Sequence, residues 1–366
     1  MCWDKVSRKV FHGLKKFRLT LRIFCFLFVG LVVLVSFGCE KSPAEVQTMN
    51  NGLLGAAYSG NILQVKSWLY DGANPNARDE NQKTALILAV EENYSEIANI
   101  LMDKGADVNL TDRSHNSALI YAASRGNTSV IRSLLSKGAE VEVKNLQGNT
   151  ALIFAASNGE NEAVRALLDV GSQPDVMNNF GNTALMLSAD RGDEDAVKML
   201  LEKGADANLK NNNGDSAYAV ATKSGRSRVM QLFLEKGSKM SELDFTRAAC
   251  DGKAEIVTLL LDKGVLSQVP THCPAQALHC AAQFGHISIV QELLNHDVPV
   301  NVKGVTGENA LIRAVIGNRP EMVQFLINNG ADVNVVPMNG KTALLTAQVE
   351  GRDQMVQILR KAGAVR

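Results

Sequence analysis

The chain has 366 residues, with 38 Lys and Arg against 38 Asp and Glu. The balance is uneven: residues 1–38 hold seven basic residues and one acidic, so residues 39–366 hold 31 basic and 37 acidic, a net −6. A mildly acidic body excludes nucleic acid as the main partner, because phosphate binding needs basic surface.

In chain order, the basic residues come first: Lys5, Arg8, Lys9, Lys15, Lys16, Arg18 and Arg22, against Asp4 alone. Ile23 to Phe37 is apolar apart from Ser36. A basic lead, a short apolar stretch and a small-residue boundary predict a secretory signal over 1–38. The stretch is short for a membrane-spanning helix, which needs roughly 20 apolar residues. Cys39 follows Gly38 directly, and this boundary resembles the bacterial lipoprotein box, in which the Cys becomes the acylated N-terminus. Ser36 stands where Leu is usual, so plain cleavage after Gly38 and an uncleaved anchor stay open beside lipidation. All three place the rest of the chain across the membrane, because the basic end stays inside. Glu40 in place of Asp points, by the same resemblance, to the outer membrane. Residues 39–48 are expected to be a short tether.

From residue 49 onward a glycine recurs every 33 residues: Gly72, Gly105, Gly138, Gly171, Gly204 and Gly237. Gly264 follows after only 27, and the step then resumes through Asp297, Gly330 and Gly363. Tandem units of this period predict an all-α solenoid of about ten helix–turn–helix units joined by β-turn fingers, each unit touching only its neighbours. Thr84, Ser117, Thr150, Thr183, Ser216 and Thr342 each precede an Ala-Leu or Ala-Tyr pair, as caps of a first helix. Ala89, Ala122, Ala155, Ala189, Ala248, Ala281, Ala314 and Ala347 offer small contacts between helices. The first helix ends at Asn93, Gly126, Gly159, Gly192, Gly225, Gly252, Gly285, Asn318 or Gly351, residue types that tolerate a left-handed turn. A second helix then repeats apolar residues at helical spacing, as in Val130, Ile131, Leu134 and Leu135. Gln64 and Arg360 replace apolar residues in the first and last units, as the outer faces of end units require.

These columns resemble the ankyrin-repeat family over residues 49–366. The best match is Ala277-Leu278-His279-Cys280-Ala281-Ala282-Gln283-Phe284-Gly285-His286. The chain departs from the family where Ala replaces Pro and where Ile87, Ile120, Ile153 and Met186 replace His. The resemblance implies a groove between finger tips and first helices that holds a protein partner. Carried onto this chain, the family's contact positions include Arg113, Arg125, Leu146, Gln147, Asn158, Phe180, Asn182 and Arg191. Leu146 and Phe180 stand at tip positions that are polar in most units. Flanked by Arg125 and Arg191 they form a candidate hot spot, or they pack sideways on neighbouring tips.

Six residues are missing between Gly237 and Gly264, so the unit near 238–264 should lack its finger. The next connection, Val265 to Ala275, holds Pro270 and Pro274 and loses the Asp/Asn pattern. A change of curvature or mobility is expected there, dividing units 1–6 from units 8–10. His272, Cys273, His279 and Cys280, with His286, look like a metal or redox set. His279 and His286 also fall where the family carries structural His, so the set supports only an alternative reading as a metal- or redox-handling protein. A bond between Cys273 and Cys280, or buried thiols, are the options read for the cysteines. The chain shows no nucleophile elbow, phosphate-binding glycine loop, paired-His helix or calcium loop. The expectation is therefore a non-enzymatic scaffold with no catalytic residue, metal, cofactor or small-molecule substrate. A secreted effector acting on a foreign protein is the remaining alternative.

Overall fold

The computed structural model describes residues 41–236, 242–267, 269–270 and 272–365. The signal segment and Cys39 therefore lie outside the described residues. Two helices per unit follow one another down the chain. Units 1 to 3 comprise α1 (Pro43–Tyr58) and α2 (Ile62–Tyr70), α3 (Ala85–Glu91) and α4 (Ser95–Asp103), and α5 (Ala118–Ser124) and α6 (Thr128–Ser136). Units 4 to 6 comprise α7 (Ala151–Asn158) and α8 (Asn161–Asp169), α9 (Ala184–Arg191) and α10 (Glu194–Glu202), and α11 (Ala217–Lys223) and α12 (Ser227–Glu235). Units 7 and 8 comprise α13 (Glu242–Cys250) and α14 (Ala254–Asp262), then α15 (Cys273–Phe284) and α16 (Ile287–Asn295). Units 9 and 10 comprise α17 (Ala310–Ile316) and α18 (Pro320–Asn328), and α19 (Ala343–Val349) and α20 (Asp353–Lys361). Among the described residues the regular structure is helical, with isolated antiparallel bridges only at Arg78–Thr84 and Thr111–Ser117.

In units 2 to 6 and 10 the first helix begins where the hydroxyl column predicts. Thr84, Ser117, Thr150, Thr183, Ser216 and Thr342 each accept a hydrogen bond from the backbone N–H three residues on. Asn309 does the same for α17. Each cap stabilises its helix by about 1 kcal/mol. The first helix then stops at a left-handed residue, Gly126 at φ +66° in unit 3, with Asn93 (φ +64°) and Asn318 (φ +56°) taking that role elsewhere. Second helices stop in the same way, at Gly105 (φ +86°) in unit 2 and at Asp297 (φ +62°) in unit 8.

First helices pack on the first helices of adjacent units, and second helices on second helices. The core is therefore a strip running the length of the stack. Leu101, Leu134, Leu167, Leu200, Phe233, Leu260, Leu293, Leu326 and Leu359 line it at one position per unit, all fully buried. The alanine column is equally buried, with one correction: in unit 5 the column position is Ser188, not Ala189. Gln64 and Arg360 are exposed at the two ends, as expected of outer faces. The first unit nevertheless also exposes Leu63 and Tyr70.

Two segments differ from expectation. Residues 43–48, read as tether, are the start of α1. Ser42 accepts from the Glu45 N–H while the Glu45 carboxylate accepts from the Ser42 N–H, a capping box, and Pro43 opens the helix. Lys41 Nζ also donates to the Asp71 carbonyl at the end of α2. Past the phase break, a 3-10 turn at Val265–Ser267 leads towards α15, which has 12 residues where most first helices have 7 or 8. Pro274, in its first turn, presets the helix start.

Candidate partner-binding groove

In units 2 to 6 one side chain builds each finger. Asp79, Asp112, Asn145, Asn178 and Asn211 accept, through Oδ1, from the backbone N–H groups two and four residues on, at 2.8–3.0 Å. Each thus closes its turn with its own side chain. Adjacent fingers are joined through the backbone. Arg113 N–H donates to the Asn81 carbonyl, Leu146 to Ser114, Asn179 to Gln147 and Asn212 to Phe180, at 2.9–3.1 Å. Side-chain amides add a second rail, from Asn145 to Asn116, Asn178 to Asn149 and Asn211 to Asn182.

This ladder divides the eight residues expected to face a partner. Asn182 accepts the Asn211 amide and belongs to the rail. Arg113 donates to the Glu80 carbonyl. Asn158 donates to the Ser124 carbonyl and Arg191 to the Ser157 carbonyl, each reaching back to the preceding unit. These four therefore tie units together. Arg125 and Gln147 are exposed. Leu146 is 55% exposed and Phe180 65% exposed on adjoining fingers, so neither is covered by a neighbouring tip.

The floor beneath the fingers was not singled out in the sequence. Tyr121, Phe154, Leu187 and Val220 occupy the same position of the first helix in units 3 to 6, and all four are half-buried. The Tyr121 hydroxyl donates to Asp112 in its finger at 2.7 Å, and Lys83 Nζ lies 5.4 Å from its ring centre. That fixes the face of the helix that looks at the fingers. Burial and the Asp112 hydrogen bond push the Tyr121 phenol up to about 12. The 33-residue step would have found this column, but its members share only apolar character and not a residue type.

Ion pairs bound the floor at both ends with opposite polarity. Lys83 on the unit 2 finger pairs with Glu91 on α3 at 2.6 Å. In unit 6 the finger residue is the acid: Asp215 pairs with Lys223 at 2.5 Å and with Arg247 of α13 at 3.2 Å.

Beyond the break the groove holds a cavity of about 340 Å³ lined by Thr246, Gln276, His279, Cys280, Gln283, Gly304–Thr306 and Arg313. Here the expected metal or redox set is corrected. Cys280 forms a disulfide with Cys250, not with Cys273, and Cys273 is buried. Cys273 and Cys280 share α15, seven residues apart, about 10 Å of helical rise and too far for a bond. The His279 ring bonds the Val302 carbonyl and the His286 ring bonds the Cys250 carbonyl. Among the described residues no three His, Cys, Asp or Glu side chains gather where they could hold a metal ion. Among the same residues no helix is long and apolar enough to cross a membrane.

A family model described as "Ankyrin repeats (3 copies)" matches residues 53–145, 106–178, 152–244, 245–337 and 306–365, which together run almost end to end through the helical stack. No curated protein matches the chain.

Proposed function

The chain belongs to the ankyrin-repeat family, and we propose that it is an exported, lipid-anchored scaffold that holds a protein partner in the groove of units 3 to 6. Repeats of this family imply protein partners and an interaction role. The observation that carries the site is the pair Leu146 and Phe180, apolar and exposed on adjoining fingers above the half-buried floor of Tyr121, Phe154, Leu187 and Val220. An apolar rim over an apolar floor suits a partner with an apolar ridge, and Arg125 and Gln147 supply a polar border. The scaffold is read as non-enzymatic: it works by grasping.

Export rests on the amino-terminal sequence, with lipidation at Cys39 and outer-membrane placement as its specific form. The Cys250–Cys280 disulfide supports it, since such bonds persist in oxidising compartments. A multiply acylated Cys39 would anchor stably, each buried CH2 adding about 0.8 kcal/mol.

Affinity capture from the membrane fraction, with mass spectrometry of the chain itself, tests both parts. The expected result is an acylated amino-terminal Cys39 and a captured protein whose recovery falls at least about tenfold with Leu146→Asp and Phe180→Asp combined. Undiminished capture by that variant refutes the groove; an unmodified, uncleaved amino terminus refutes the anchor.

A further inference from the structure

The disulfide lies where the finger ladder is interrupted. Among the described residues no finger-to-finger backbone bond lies between Asn212–Phe180 and Met338–Thr306. At that interruption Cys250, the last residue of α13, is bonded to Cys280 in the middle of α15, joining unit 7 to unit 8. The bond is not part of the packed core. Both cysteines are only half-buried, whereas Cys273 on the same helix is 1% exposed. Cys280 also lines the 340 Å³ cavity, a volume that admits a small peptide-like molecule. A covalent tie thus joins the two units, and one of its cysteines lines the cavity.

We propose that the Cys250–Cys280 disulfide is a thiol-exchange site. A small thiol entering the cavity opens it and loosens the junction between units 7 and 8. The thiolate attacks the Cys280 sulfur from the cavity, forming a mixed disulfide and expelling the Cys250 sulfur as a thiolate, which takes a proton from solvent. A second thiolate then attacks the sulfur of the bound small thiol in that mixed disulfide. It releases the small thiol as its own disulfide and leaves Cys280 as a thiolate. Two electrons pass from the two small thiols to the protein bond. In the reverse direction the Cys250 thiolate attacks the Cys280 sulfur, expels the small thiol and recloses the bond. Opening releases a loop constraint of 30 residues' separation where, among the described residues, no finger bond compensates. Units 2 to 6 keep their ladder and do not respond. The proposal is independent of the groove and of the anchor, since it concerns the second arc alone.

The test uses the purified full chain and glutathione. Under native conditions, reduced glutathione followed by alkylation should label Cys250 and Cys280 while Cys273 stays unlabelled until denaturant is added. Mass spectrometry of the acid-quenched reaction should place glutathione on Cys280. Hydrogen exchange should quicken about ten- to a hundredfold in α13, α14 and α15 and stay unchanged in units 2 to 5. Cys250→Ser combined with Cys280→Ser should show the reduced pattern without any thiol. If that variant does not fold, the reduced wild-type chain still decides. Labelling that needs denaturant, glutathione found only on Cys250, or exchange in α13 to α15 that reduction leaves unchanged would each overturn the proposal.

Discussion

At the scale of single residues, each unit depends on small and left-handed positions. Most of these were legible: a hydroxyl before Ala-Leu, an alanine four residues on, a Gly or Asn at each helix end. Unit 5 breaks the alanine column with Ser188, fully buried with its hydroxyl bonded to no atom of the described residues. A buried orphan hydroxyl destabilises by roughly 1–3 kcal/mol. Ser188→Ala should therefore raise the free energy of unfolding by about 1 kcal/mol in urea titration, and a loss of stability would show that the hydroxyl has an unrecognised partner. A third left-handed column was missed. It runs through Gly148, Gly181, Gly214, Gly307 and Gly340 at the finger tips, but Gln82 and His115 take the same conformation in units 2 and 3 and hide the period.

At the scale of elements, the helices were readable and their exceptions were not. The capping box at Ser42 and Glu45 stood in the sequence, yet the export motif just before it made residues 39–48 look like linker. The division of the finger and helix positions into ladder and free surface depends on which long side chains reach back to a neighbouring carbonyl, as Arg191 does. No spacing reveals that reach. The Cys250–Cys280 pairing depends on the side-by-side packing of α13 and α15, which no spacing in the sequence announces. His279 links α15 to the segment before the unit 9 finger through the Val302 carbonyl. Burial holds its imidazole below the ordinary histidine value, with Arg313 acting in the same direction and Glu308 and the Val302 bond opposing. A folded value below the unfolded one means the unfolded chain binds more protons in the window between them. Stability is therefore complete above the ordinary histidine value and is lost as pH falls from there towards the depressed value. Thermal unfolding across that window should show this slope, and His279→Gln should flatten it; an unchanged slope would assign the pH response to another group.

At the scale of the whole molecule, the stack is a row of interfaces, and stability accumulates from one unit to the next. The ladder of fingers makes units 2 to 6 a continuous platform, closed by Lys83–Glu91 at one end and Lys223–Asp215–Arg247 at the other. Beyond it a disulfide ties unit 7 to unit 8, α15 is longer, and a finger bond returns between Met338 and Thr306. The period alone established the stack; the platform's apolar floor emerged only when the first helices were seen to face the fingers. The most direct measurement is hydrogen exchange of the chain with and without its captured partner. Partner binding should slow exchange at the fingers around Leu146 and Phe180 and in α5, α7, α9 and α11, with the second helices unchanged. Slowing confined to the second helices or to the end units would contradict it.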